Sequence, residues 1–162
     1  MASNVVLGIH SNVLGSANYT GGHAWITVIR NGITKYYGLW PDGHPATPNN
    51  GPGWDIRTGM ERNSKPKASR YYKLSAEQTK VLDQLLLRNI TWGYTNNCSS
   101  WAHDLIWKVV HEDVDADDYL WFIETPRELG RNIRLLEAKD PTSQYKPKDT
   151  TSNKQQSSSS SH

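Results

Sequence analysis

The chain has one cysteine, one phenylalanine and two methionines in 162 residues. A lone cysteine cannot close an intrachain disulfide, so a disulfide framework is excluded and cysteine count leaves the compartment open. Structural zinc usually takes more than one cysteine, which sets a Cys98 site with His23, His10 or His44 well behind other readings, and no metal or other cofactor is expected. No apolar run approaches the length of a membrane span. The N-terminus lacks the charged and long apolar regions of a secretory signal. The protein is therefore expected to be soluble, and to rely on another delivery route if it acts outside the cell that makes it. Strong charge of either sign is also missing: the formal net charge is +2, and four Lys and two Asp in residues 139–162 account for all of it. Residues 1–138 are neutral with scattered basic side chains, which argues against nucleic acid as the partner.

Seven Trp and eight Tyr are the counterweight. Such rings carry a polar handle and line clefts as well as cores. The length suits one domain with a real core, over 1–138. Residues 139–162 are polar, run into serines at 157–161, and read as a disordered tail.

Asn4 to His10 reads as a short buried strand, followed by a Gly/Ser/Asn loop up to Gly21-Gly22. His23 to Arg30 and Ile33 to Trp40 are β-branched and aromatic runs around Asn31-Gly32, a strong hairpin signal. A two-residue turn pairs Arg30 with Ile33; the continued register puts His23 opposite Trp40, with Asp42 one diagonal step away on the same face. Pro41 to Lys67 reads as a long irregular connection, functional or plain surface, and Ser69 to Leu74 as a further strand. Ser75 with Gln78 forms a capping box for a scaffold helix to about Arg88. Thr125-Pro126-Arg127-Glu128 starts another, buried through Leu129, Ile133 and Leu136. Asp113, Asp115, Asp117 and Glu124 match several positions of a calcium loop, but Asp118 stands where glycine is required, so a solvated acidic loop is expected.

Cys98 follows Asn96-Asn97, residues that cap helices, and precedes a helical stripe of Trp101, Ala102, Leu105, Ile106, Val109 and Val110, to about His111. A helix N-terminus lowers a thiol's pKa, and its unpaired N–H groups can bind an oxyanion. A lone cysteine is otherwise a small core hydrophobe. A histidine is needed to tip the balance, and His23, opening a strand beside a carboxylate, is the candidate general base. Asp42 would orient it, with His44 or His10 as substitutes. The Cys98 N–H, aided by an Asn96 or Asn97 side chain, would form the oxyanion site.

Tyr94-Thr95-Asn96-Asn97-Cys98-Ser99-Ser100-Trp101-Ala102 resembles the aromatic-x-Asn-Asn-Cys-x-x-aromatic pattern around the nucleophile of permuted papain-like hydrolases. These include the lecithin:retinol acyltransferase-like proteins and PPPDE-type isopeptidases, and share their fold with NlpC-type cell-wall peptidases. In the permuted members the histidine strand precedes the cysteine helix, the order of Gly22-His23-Ala24-Trp25-Ile26 and Cys98. The stretches His-Ala-Trp-Ile-Thr-Val and Tyr-Gly-Leu-Trp-Pro-Asp-Gly-His are also similar to bacterial toxin effectors of this superfamily that attack peptidoglycan peptides. The resemblance implies an α+β papain-like fold, with an antiparallel sheet against the Cys98 helix and two further helices. It also implies a cysteine peptidase or amidase acting in a target cell's periplasm, paired with a cognate immunity protein. A lipid acyltransferase or phospholipase, an isopeptidase and a non-catalytic binding module are the alternatives.

Overall fold

A computed structural model describes residues 4–13, 22–51, 53–93, 96–114, 117–118 and 123–151. It is an α+β arrangement of one six-stranded, mostly antiparallel sheet and three helices. The hairpin forms as its sequence dictates: β2 (Ala24–Arg30) and β3 (Ile33–Leu39) pair Arg30 with Ile33. The turn holds Asn31 at φ 52° and Gly32 at φ 76°, the left-handed conformations that a tight hairpin needs. β1 (Val5–Ser11) pairs antiparallel with β2 on one side and with β5 (Ala68–Leu74) on the other.

The sheet's two faces differ. Leu7 and Ile9 of β1, Ala24, Ile26 and Val28 of β2, and Tyr72 and Leu74 of β5 are buried in one core. Alternate residues of paired strands share a face, so these side chains form one apolar layer. α2 (Cys98–Val110) packs on β2 and β3, α3 (Pro126–Lys139) on β1 and β5, and α1 (Ala76–Leu86) on α2. The helix signals hold: Ser75 and Gln78 form the capping box of α1, Thr125 caps α3 with Pro126 behind it, and α2 ends at His111 in a left-handed conformation. On the other face His10 bonds Ser69 Oγ and Thr27 Oγ1, each at 2.8 Å. Burial lowers its pKa to about 3, so His10 is a neutral structural group and not the orienting residue for His23.

Three expectations need correction. The long connection contains a strand, β4 (Ile56–Thr58), which pairs with β3 through Tyr37–Thr58 and Gly38–Arg57. The acidic loop is not simply solvated. Glu112 is buried and accepts from Arg70 and Tyr72, and Asp113 bonds His103. Asp117–Asp118 and Ile123–Glu124 form a small antiparallel pair, β6 and β7, while Asp115 lies outside the described residues. Nor is the whole of 139–162 a loose tail. Lys148–Asp149 forms β8, parallel to β5, and Thr150 is fully buried against Gln78. The cause is Arg70, a fully buried cation of β5 whose guanidinium bonds Glu112, Glu137 and both the carbonyl and carboxylate of Asp140, while Lys148 joins Glu112 and Asp140. A buried charge needs such partners, and they draw the polar segment onto the sheet edge; residues 152–162 lie outside the description.

Candidate active site

Cys98 is the first residue of α2, and the helix start is tightly built. Asn97 Oδ1 accepts from the N–H groups of Ser99 and Ser100, Ser100 Oγ accepts from Asn97 N–H, and Trp101 N–H closes on the Asn97 carbonyl. The Cys98 N–H is thus the first-turn donor that neither cap nor helix uses. The Asn97 side-chain oxygen is committed to the cap, and Asn96 Nδ2 donates to the Thr91 carbonyl at 3.0 Å. Asn96 is therefore not placed as the extra oxyanion donor that the sequence suggested.

His23 sits at the mouth of β2 and lines the same groove as Cys98, where each group shifts the titration of the other. Its Nε2 is 2.8 Å from Glu61 Oε1, which leaves Nδ1 to face the thiol. Trp40 is beside His23 as the hairpin register requires, with ring centroids 4.1 Å apart, and Trp25 stacks on the other side at 5.9 Å. The ring is held by packing as well as by bonds.

The carboxylate is Glu61, not Asp42. After Trp40 the chain leaves the β2 register, with Trp40 N–H donating to the Asp55 carbonyl. Asp42 Oδ1 is 2.7 Å from Arg57 Nη2 and accepts from Asn50 N–H. The Asn50 N–H, with Arg57, holds the Asp42 carboxyl below its usual range. Arg57 also donates to the carbonyls of Trp40 and Pro48, so Asp42 and Arg57 together shape the loop. Glu61 arrives from the end of β4, where Gly59 turns at φ 86°. It is fully buried; Oε1 accepts from both His23 and Trp40 Nε1, the latter at 2.6 Å, and Oε2 has no partner among the described residues. Gly38 makes this approach possible: a methyl there would overlap Glu61 Oε1 and come within 2.9 Å of His23 Nε2 and Trp40 Nε1. Glycine inside a strand is a sequence sign of such an approach, and it is the one signal that could have pointed to a group crossing at this position.

Electrostatics favour an ion pair. Burial pushes the Cys98 thiol up, but the His23 hydrogen bond and charge, the Ala24 backbone N–H and Ser99 outweigh it, leaving the thiol below its ordinary value. Burial lowers His23, and Cys98 and Glu61 more than reverse this, raising it to about 9. A lowered thiol and a raised imidazole both favour the thiolate–imidazolium pair, and the thiolate is the reactive form.

The pair opens into a groove of about 380 Å³ whose lining includes Asn12, Trp40, His44, Trp92 and Cys98. Asp55 fixes both tryptophan walls: its carbonyl takes the Trp40 N–H and its carboxylate the Trp92 N–H. His44 forms part of the loop wall edge-on to Trp40, with Nδ1 accepting from Ala46 N–H; it does not take the orienting role. This arrangement can attack a carbonyl carbon and return a proton to a leaving group. No protein family, curated protein or solved structure matches the chain.

Proposed function

We propose that the protein is a cysteine hydrolase of permuted papain-like type that cleaves an amide bond in peptidoglycan peptides, as a secreted antibacterial effector acting in the target periplasm. The observation that carries the chemistry is one constellation: a thiol at a helix N-terminus, an imidazole lining the same groove and coupled to it, and a buried carboxylate 2.8 Å from the imidazole. Cys98 attacks the carbonyl, His23 carries the proton to the leaving amine, Glu61 holds the imidazole in register, and water hydrolyses the thioester. The element order, histidine strand before cysteine helix, agrees with the permuted arrangement. The substrate class rests on the resemblance of the hairpin and cysteine segments, supported by a groove whose Trp40, Trp92 and amide lining suits a polar peptide. Among the described residues no helix is long and apolar enough to cross a membrane.

The test is digestion of purified peptidoglycan by wild type, Cys98→Ala and His23→Ala, with fragments identified by mass. The expected result is muropeptides cut at one amide by the wild type and by neither variant. An intact wall beside a fast-alkylating Cys98 would reject the peptidoglycan assignment and redirect the search to lipid and isopeptide substrates. An inert thiol would reject the hydrolase reading altogether.

A further inference from the structure

Once the helix cap is complete, the Cys98 N–H is a single donor, and a tetrahedral oxyanion is best held by more than one. The Asn96 amide donates to the Thr91 carbonyl, the Asn97 carboxamide is anchored in the helix cap through its oxygen, and the Trp40 indole N–H is spent on Glu61. We propose that the Asn12 side-chain amide is the second oxyanion donor, an assignment that rests on the thiol-hydrolase reading above.

Asn12 follows β1 and is tied twice to the residue that carries the imidazole. Its backbone N–H donates to the His23 carbonyl at 3.2 Å, and its Oδ1 accepts from His23 N–H at 2.8 Å. A backbone N–H can only donate, so the atom it meets is the amide oxygen and the other end of the carboxamide is NH₂. Asn12 lines the same groove as Cys98, and no acceptor among the described residues takes a proton from its Nδ2. The next residue along from His23, Ala24, is among the groups that hold the Cys98 thiol below its ordinary value. The Asn12–His23 tie at the end of the β1–β2 pairing therefore brings an amide donor and a base to the groove that holds Cys98. His44 also lines the groove, but it stands on the loop wall and is bonded within its own turn.

In the step served, the thiolate lone pair forms the S–C bond and the carbonyl π pair moves onto oxygen. That oxygen accepts from Cys98 N–H and Asn12 Nδ2–H. Collapse re-forms the carbonyl and breaks the C–N bond, and the leaving nitrogen takes its proton from the His23 imidazolium.

Two thiol reactions separate this role from simple placement of His23. Iodoacetamide alkylates by displacement at a saturated carbon and forms no oxyanion, whereas acylation by p-nitrophenyl acetate passes through one. With Cys98→Ala as background, Asn12→Ala should leave alkylation near the wild-type rate and slow acylation about 10²-fold or more, the usual cost of one oxyanion donor. Asn12→Asp keeps an oxygen for the His23 N–H and guards against misfolding; it should lose acylation likewise, with alkylation compared at its alkaline plateau. Equal falls in both reactions would assign Asn12 to positioning and overturn the proposal, as would acylation indifferent to Asn12→Ala. A wild-type thiol inert to both reagents would overturn the hydrolase reading and this proposal together, so the two failures are distinguishable.

Discussion

Gly38→Ala reaches the centre of the proposed mechanism without replacing a reacting group. The added methyl overlaps Glu61 Oε1 and would stand 2.9 Å from His23 Nε2 and Trp40 Nε1. None of the three can yield cheaply: Glu61 is fully buried, and both rings are packed in the wall. Glu61 must withdraw, breaking the His23 bond and the Trp40 bond. Losing two hydrogen bonds to a buried carboxylate costs about 1–3 kcal/mol for each group left unpaired. The gain from replacing a strand glycine, about 0.5–1 kcal/mol, offsets little of that. Without Glu61 the imidazolium loses one of the groups that raise its pKa, and the thiol loses part of the charge that lowers its own. A shift of roughly 1 Å in such a constellation is expected to slow turnover about 10²-fold. The assay is the iodoacetamide rate of Cys98 against pH. In the wild type it should rise through a midpoint below that of an ordinary thiol; in Gly38→Ala the midpoint should move upward. Gly43→Ala, where an added Cβ meets nothing within 4 Å, is the control. A Gly38→Ala profile that superimposes on wild type at unchanged Tm would refute the argument that this glycine exists to admit Glu61.

Glu61→Gln should lower peptidoglycan cleavage by about 10²-fold or more through misorientation of the imidazole, whereas Asp42→Asn should act only through the loop and leave the alkylation midpoint where it is; the reverse pattern would restore Asp42 to the orienting role. Arg70→Ala leaves Glu112 buried without its main partner and should cost about 3–5 kcal/mol by denaturant titration; Arg70→Met leaves the same carboxylate unpaired and should recover only the packing part of that loss. Stability should peak near neutral pH for two opposed reasons. His10 is held neutral with a pKa of about 3, so its contribution is present above the unfolded value of about 6.5 and is lost as pH falls below that, where only the unfolded chain takes the proton. His23, raised to about 9, contributes below about 6.5 and loses that contribution as pH rises through 9. Chemical denaturation across pH should show the alkaline decline shrinking in Cys98→Ala and the acid decline shrinking in His10→Gln.

The parts legible in the sequence were those written in neighbouring residues. Asn31-Gly32 specifies its own turn, and the register then places Trp40 against His23. Ser75 with Gln78, Thr125 with Pro126, and Asn97 with Ser99 and Ser100 mark helix starts by side chains that satisfy nearby N–H groups. Glu61 was not legible because its place depends on β4, three residues inside a stretch rich in Pro, Gly and Asn, whose pairing with β3 is a long-range choice. Asp42 looked right only while the strand was extended past Trp40; Arg57, the residue that diverts it, belongs to the same unseen strand. The ordered part of the tail was hidden for a similar reason. Polarity alone reads as solvated, and only the depth of Arg70 in the core reveals that Glu137, Asp140 and Lys148 are wanted there.

The position of Gly38 between Tyr37 and Leu39 makes the site a sensor of correct assembly. A slip of β3 by one residue would bring a tyrosine or leucine side chain to the spot that has room only for hydrogen, and Glu61 could not enter. Such a molecule would still hold much of its sheet, yet Cys98 would lack part of the field that ionises it. On the proposed mechanism, the reactivity of this thiol would depend on a hairpin closed in one register.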